Sequence, residues 1–224
     1  MSVKLFLIRH GQTLWNHEGK YQGNTDIDLN ETGIRQAELA SKYLNEVNFK
    51  NIYSSPLKRA IDTAQIVKGQ RDNKIMMCND LKEIAFGKWE GLRFDEINIK
   101  YRDDYQRWLD DPYNNAPTDG ESFQSLTARV TKCIDKIVRE NDSEDNNDVM
   151  IVTHGGVIVS LIVNYLKIPP KRWRSIIQRQ GAINIIVVSN NFPYIAQINY
   201  TGHLRPIYDD NEDKVIEIYS KLKK

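Results

Sequence analysis

Two apolar runs, "VKLFLI" at residues 3–8, with one lysine, and "VMIVT" at residues 149–153, lead into a histidine trailed by glycine, the first through Arg9. One gives Arg9-His10-Gly11, the other Thr153-His154-Gly155-Gly156. A run that is apolar on consecutive residues has no wet face, so it reads as a strand covered on both sides, as in a parallel sheet. In open sheets of that kind ligands bind outside the carboxyl ends of the strands, where helix N-termini gather. Both histidines are therefore expected at that edge, mounted on rigid strand tips.

The segments between these runs alternate in period. "LNETGIRQAELASKYLNEV" places Ile34, Ala37, Ala40 or Ser41, Leu44 and Val47 on one helical stripe. "NIYSS" reads as a second strand and meets "PLKRAIDTAQIVK", with Ser55 as N-cap and Pro56 at the first helical position, which puts Arg59 in the first turn. "KIMMC" is a third short strand. Phe94, Ile97, Tyr101, Tyr105 and Trp108 then recur at helical spacing and predict one amphipathic helix. "DDPYNNAPTDG" carries the composition of a loop, and "ESFQSLTARVTKCIDKIVRE" that of a helix with Phe123, Leu126, Val130, Ile134 and Ile137 inward. The acidic "NDSEDNND" reads as a solvated turn. "VIVSLIVNYL" begins a helix at once after the fourth strand and stops before Pro169-Pro170, and "AINIIVVS" and "PYIAQIN" flank an Asn190-Asn191 turn as a closing hairpin or edge pair. Strands alternating with helices predict an α/β fold, a three-layer α/β/α sandwich on a largely parallel, mixed sheet.

With 224 residues and no composition shift that marks a linker, a single domain over residues 1–224 is expected. Lys and Arg total 31 against 30 Asp and Glu, a formal charge of +1, so no broad field invites nucleic acid or an anionic membrane. Any cationic site must be local. The two cysteines, Cys78 and Cys133, form no CxxC or Cys/His cluster and read as small core residues in a reducing compartment, not as a disulfide framework or metal site. "VKLFLI" is too short for a secretory segment and no stretch approaches the roughly eighteen apolar residues of a membrane span, so a cytoplasmic protein is expected.

Arg9 and Arg59 bring two guanidiniums to the strand-tip rim that carries His10 and His154. Arginine's planar fork matches phosphate oxygens, and glycine after each histidine lets backbone approach an anion. Taken singly, each feature has a structural reading: a satisfied strand-end histidine, an arginine paired with a carboxylate, a turn made of Gly-Gly. Their joint placement at three strand ends points instead to a phosphoryl pocket, in which a neutral imidazole needs one ring nitrogen donating to a carbonyl and the other free.

"LFLIRHGQTLWN", "YSSPLKRAIDTA", "LKEIAFGKWEG", "GESF" and "VTHGG" resemble, in order, the motifs of the histidine phosphatase superfamily, which includes the cofactor-dependent phosphoglycerate mutases. The resemblance runs to about Asn199 and implies a phosphoglycerate mutase-like fold. It further implies that His10 becomes phosphohistidine, that Arg9, Arg59 and a cationic His154 complete the phosphate pocket, and that Glu83 is the acid/base group. Asn16, Gln22 and the backbone of Gly155 match secondary positions around the phosphate, and Thr13 and Ser122 match more weakly. His17 and His203 match nothing catalytic and are expected at the surface. Trp89 is expected to pack, and Phe86, Tyr105 and Trp108 either to pack a lid or to touch the organic half of a substrate.

The mutases carry a paired-arginine and polyproline-containing segment after the acid/base glutamate. Here "FDEINIKYRDDYQRWLDDPYNNAPTDGES" has neither, which favours transfer to water. "EIAFGKWEG" followed by "GES" resembles the branch containing alpha-ribazole phosphatase of cobalamin biosynthesis, and also broad-specificity members. The expectation is thus a metal-independent phosphomonoester phosphatase with no cofactor. Its partners are a small-molecule phosphomonoester and, at most, a second copy of itself in a homodimer. A cofactor-dependent phosphoglycerate mutase and a non-catalytic phospholigand-binding module are the alternatives.

Overall fold

The computed structural model describes residues 2–143 and 146–207. In chain order the elements are β1 (Ser2–Arg9), α1 (Leu14–Glu18), α2 (Glu31–Tyr43), β2 (Asn51–Ser54), α3 (Lys58–Lys68), β3 (Ile75–Met77), α4 (Phe94–Lys100), α5 (Arg102–Asp110), α6 (Phe123–Asn141), β4 (Asp148–Thr153), α7 (Gly155–Tyr165), β5 (Ile183–Ser189) and β6 (Phe192–Tyr200), with short 3₁₀ turns between some of them. The strands form one mixed sheet in the order β3-β2-β4-β1-β5-β6. The pairings β3-β2, β2-β4 and β4-β1 are parallel, while β5 and β6 close the sheet as an antiparallel hairpin.

Alternate residues of each central strand face opposite helix layers. Leu5, Leu7, Val149 and Ile151 pack with Leu126, Val130 and Ile134 of α6 and Ile158, Leu161 and Ile162 of α7. Phe6, Ile8, Met150 and Val152 pack with Ala37 and Ala40 of α2 and Ala60 and Ala64 of α3. This is the α/β/α sandwich, and each fully buried Leu or Ile stabilises it by about 1.5–3 kcal/mol through removal from water. A separate aromatic cluster holds Trp89, Ile97, Tyr105 and Trp108, with Trp89 edge-on to Tyr105 at 5.4 Å and to Trp108 at 5.5 Å.

Several local expectations need correction. Ile34 is 42% exposed, because α2 lays Gly33, Ala37 and Ala40 against the sheet, and Gly33 packs so closely that a Cβ there would lie 2.1 Å from Gln12 O. The stripe drawn through Phe94 and Trp108 is two helices, broken at Tyr101 (φ −133°, ψ 37°), which turns Tyr105 and Trp108 onto Trp89. Helix α3 starts at Lys58, not Pro56: Ser55 Oγ meets His154 Nε2 and accepts from Leu57 N–H at 3.3 Å just ahead of the helix, and the free Lys58 N–H is capped from another loop by Asp26 Oδ1 at 2.7 Å. Asn141 of the acidic turn is fully buried and donates to Tyr53 Oη and Ile137 O, while residues 144 and 145 of that turn lie outside the described residues. Cys78 is only half-buried and lies against Cys133, although 55 positions separate them. His203 is buried rather than exposed, in a three-ring cluster with Tyr43 and Tyr200 at 5.6 and 5.7 Å. No helix among the described residues is long and apolar enough to cross a membrane.

Candidate active site

The parallel register pairs Arg9 with Thr153, so the next residue on each strand, His10 and His154, leaves the sheet side by side. Their ring centroids are 5.1 Å apart. The His10 N–H donates to Thr153 O at 2.9 Å, and Gly181 N–H donates to Arg9 O and His10 O, so the tip of β1 is held from both flanks. Gly11 must be glycine: a Cβ there would lie 2.3 Å from Gly33 O at the start of α2, and its N–H donates to Thr63 Oγ1.

His10 Nδ1 lies 2.7 Å from Gly11 O, which can only accept, so Nδ1 carries the hydrogen and Nε2 keeps a lone pair. Burial, then the positive charges of Arg59 and Arg9, push the His10 pKa well below the usual histidine value. The ring is neutral at physiological pH. His154 Nε2 meets Ser55 Oγ at 2.8 Å, and Nδ1 has no hydrogen-bond partner among the described residues. Burial, Arg59, His10 and Arg9 lower its pKa too, so His154 is held neutral rather than cationic as expected.

Arg59 is fully buried on the first turn of α3. Its Nη1 donates to Thr25 O at 2.8 Å and Nη2 to Gly23 O at 2.7 Å, so it is held by carbonyls and not by the carboxylate a structural ion pair would supply. Burial lowers its pKa to about 10, which leaves it charged. Arg9 Nη1 donates to Gln178 O. Glu83 lies in the chain between β3 and α4. Its Oε1 accepts from Ile84 N–H at 3.0 Å and its Oε2 from Gly156 N–H at 3.2 Å, in the first turn of α7, where helix N–H groups are otherwise unpaired. A Cβ on Gly156 would lie 2.4 Å from Glu83 Oε1, so the second glycine after His154 makes room for the carboxylate.

Arg9, His10, Asn16, Gln22, Arg59 and Glu83 line one cavity of about 250 Å³, together with Gly19, Lys20, Tyr21, Gly23 and Phe86. His154 does not line it but lies buried beside His10. Gly155 does not line it either: it packs on the Arg9 guanidinium, where a Cβ would sit 3.4 Å from Cζ. Tyr105 and Trp108 are 3% and 1% exposed and belong to the packing cluster, whereas Phe86 reaches the cavity wall, edge-on to Tyr21 at 4.8 Å. Thr13 caps α1 and donates to Gln22 Oε1, and Ser122 caps α6.

Other residues shape the site by holding backbone groups. Glu90 accepts from the N–H groups of Asn24, Thr25 and Phe86 and from Thr25 Oγ1, pinning the loop whose carbonyls hold Arg59. Arg129 of α6 forms a two-bond pair with Glu121 and donates to Asp80 O, Lys82 O and Glu83 O, clamping the segment that carries Glu83. A carboxylate or guanidinium that serves backbone groups leaves only its charge in the sequence, and Lys20 and Tyr21 enter through loop geometry alone.

Residues 5–201 match the model of the histidine phosphatase superfamily, branch 1. The chain is 30% identical over 206 residues to Phosphoserine phosphatase 1 of Hydrogenobacter thermophilus, covering 92% of this chain and 96% of that protein. It is 31% identical over 204 residues to Adenosylcobalamin/alpha-ribazole phosphatase of Salmonella typhimurium, covering 91% and 100%. The crystal structure of phosphoserine phosphatase from Entamoeba histolytica in complex with 3-phosphoglyceric acid is similar with a TM-score of 0.80 at 34% identity, over 90% of this chain and 98% of that one.

Proposed function

Because the chain belongs to the histidine phosphatase superfamily, branch 1, and is a phosphatase, we propose that it hydrolyses small phosphomonoesters, without a metal, through a phosphohistidine at His10. The observation that carries this reading is the His10 ring itself: neutral, with Nδ1 donating to Gly11 O and Nε2 left as the nucleophile. Nε2 forms a bond to phosphorus as the ester oxygen departs in line, and Glu83 gives that oxygen its proton. Water then attacks the phosphohistidine, losing its proton to the Glu83 carboxylate and returning His10 to its starting form with release of inorganic phosphate. Arg9 and Arg59 neutralise the equatorial oxygens with donors already in place. A phosphate dianion reverses the charge that His154 faces, so this ring takes up a proton with substrate and offsets the phosphoryl charge from beside His10. Asn16 and Gln22 bind phosphate from the cavity wall, and Gly155 sets the stance of Arg9.

The cavity, at about 250 Å³, is smaller than the roughly 300–1,000 Å³ of pockets that enclose drug-sized ligands. That supports a compact ester, with Lys20, now paired with Glu18 Oε2 at 2.8 Å, turning to a second anionic group. A second reading is favoured by the Tyr21–Phe86 pair on the wall, whose rings suit the planar base of alpha-ribazole 5'-phosphate projecting from the cavity.

The test is phosphate release, with EDTA present, from phosphoserine, 3-phosphoglycerate, alpha-ribazole 5'-phosphate and an aryl phosphate. Turnover of the compact esters that His10→Asn abolishes is the expected result. A kcat/KM favouring alpha-ribazole 5'-phosphate by about tenfold or more, some 1.4 kcal/mol of differential binding, selects the second reading. Transfer between carbons of a phosphoglycerate in place of release overturns both.

A further inference from the structure

Cys78 ends the strand segment that leads through Asp80 and Leu81 to Glu83, and Cys133 lies on α6, one helical turn after Arg129, the residue that clamps the same segment. Their Sγ atoms are 2.9 Å apart, with Cys133 buried and Cys78 half-exposed at the surface. From this placement we propose that Cys78 and Cys133 are a thiol–disulfide pair, closed by hydroperoxides, that switches the phosphatase by moving the segment carrying Glu83. Its coupling to turnover rests on the proton-donor reading of Glu83; closure of the pair does not.

The Asp80 carboxylate lies with the two sulfurs, so a bound thiophilic metal is the competing occupant. Distance decides between them. Two thiolates on a tetrahedral zinc with bonds of about 2.3 Å stand roughly 3.8 Å apart, and the sulfurs here are nearly an ångström closer than that. Among the described residues they are also short of the four ligands a closed structural zinc site needs, for only Asp80 joins them there. A disulfide, at about 2.05 Å, asks only that the pair continue its approach.

The chemistry is balanced with a hydroperoxide as oxidant. Cys78 is the attacking sulfur: it is the more exposed of the two, and the Cys133 thiol lies 2.9 Å from it, close enough to hydrogen-bond its thiolate. It takes the outer peroxide oxygen, the O–O bond breaks, and the other oxygen leaves as water or an alcohol, so Cys78 becomes a sulfenic acid. Cys133 gives up its proton, attacks that sulfur and forms the S–S bond, and the expelled hydroxide leaves as water. Two electrons pass from the two sulfurs to the peroxide. Closure draws Cys78 toward α6 and pulls on the turn that its carbonyl closes by accepting from Leu81 N–H at 3.1 Å. Two residues further on stands Glu83, whose carboxylate has no slack between Gly156 and Ile84.

The experiment treats the full-length protein with a small excess of hydrogen peroxide and follows intact mass, thiol alkylation and turnover of an aryl phosphate. The expected product has lost two hydrogens, yields a Cys78–Cys133 cross-linked peptide, and has a kcat lowered by about tenfold or more, with recovery in dithiothreitol. Cys133→Ser should form a sulfenic acid at Cys78 without the cross-link and keep most of its activity. Two thiols that stay fully alkylatable after peroxide, or oxidation of Cys78 to sulfinate with no cross-link, overturn the pair. A cross-link that leaves kcat unchanged overturns the switch. Failure of the Glu83 reading is seen separately, as undiminished turnover in Glu83→Gln of the reduced protein.

Discussion

Acidification should unfold this protein from its catalytic centre outward. His10 and His154 are both fully buried and both held neutral, chiefly by burial and then by the neighbouring arginines. In the unfolded chain each titrates near 6.5. Below that pH the unfolded chain binds a proton at each ring and the native state does not, so stability falls with pH and levels off only below the folded values. Each such proton changes the unfolding free energy by about 1.4 kcal/mol per pH unit, and the two together by about 2.7 kcal/mol per unit. Over one unit this is a large share of a typical total of about 5–15 kcal/mol. The window from pH 6.5 to 5 isolates the effect, because ordinary carboxylates titrate at or below about 4.3. His203, lowered to about 4 by burial, adds to the slope in the same direction. The assay is urea unfolding at half-unit steps through this window, on the natural chain and on His10→Asn, whose side-chain amide can still donate to Gly11 O. Halving of the slope attributable to His10 and His154 is expected in the variant. A slope under about 1 kcal/mol per unit in the natural chain, or an unchanged slope in His10→Asn, refutes the reasoning.

Three further substitutions separate positioning from packing. Gly156→Ala pushes a methyl group onto Glu83 Oε1, so hydrolysis of an alkyl phosphate should slow by about a hundredfold, while an aryl phosphate with a good leaving group loses less and circular dichroism is unchanged. Glu90→Ala frees the N–H groups of Asn24, Thr25 and Phe86 and should cost about 2–3 kcal/mol, below the sum for such bonds because water reaches the carboxylate, with a raised KM as the loop holding Arg59 loosens. Trp108→Ala empties the centre of the aromatic cluster and should lower stability by about 3–5 kcal/mol, seen as a fall in Tm of about 6–20 °C, with kcat nearly intact.

The strand tips were legible because a doubly buried strand writes itself as consecutive apolar residues, and the two histidines follow such runs, the first through Arg9. Their apposition needed one fact more, that β1 and β4 are neighbours in register, which alternating periods imply but do not specify. Glu83 stood out only through its motif, since a glutamate beside Lys82 has no periodic signal; the space for it is recorded in Gly156. The rest depended on long-range contacts. Ile34 fits a helical stripe yet is exposed because Gly33 sets the face. His203 carries no apolar pattern around it and is buried with nearby Tyr200 and with Tyr43, which is distant in sequence. Cys78 and Cys133 share no motif, and only the docking of α6 on the turn that follows β3 brings their sulfurs together.

The central claim is that His10 carries the phosphoryl group between substrate and water. Its most direct test is mass spectrometry of the protein quenched in alkali during turnover of an aryl phosphate, in which phosphohistidine survives, compared with an acid quench, in which it does not. The expected result is one phosphoryl group on the peptide containing His10, present only in the alkaline quench, lost in His10→Asn and accumulating in Glu83→Gln as water attack slows. Full turnover in His10→Asn, or a phosphoryl group found on any other residue, would contradict the account.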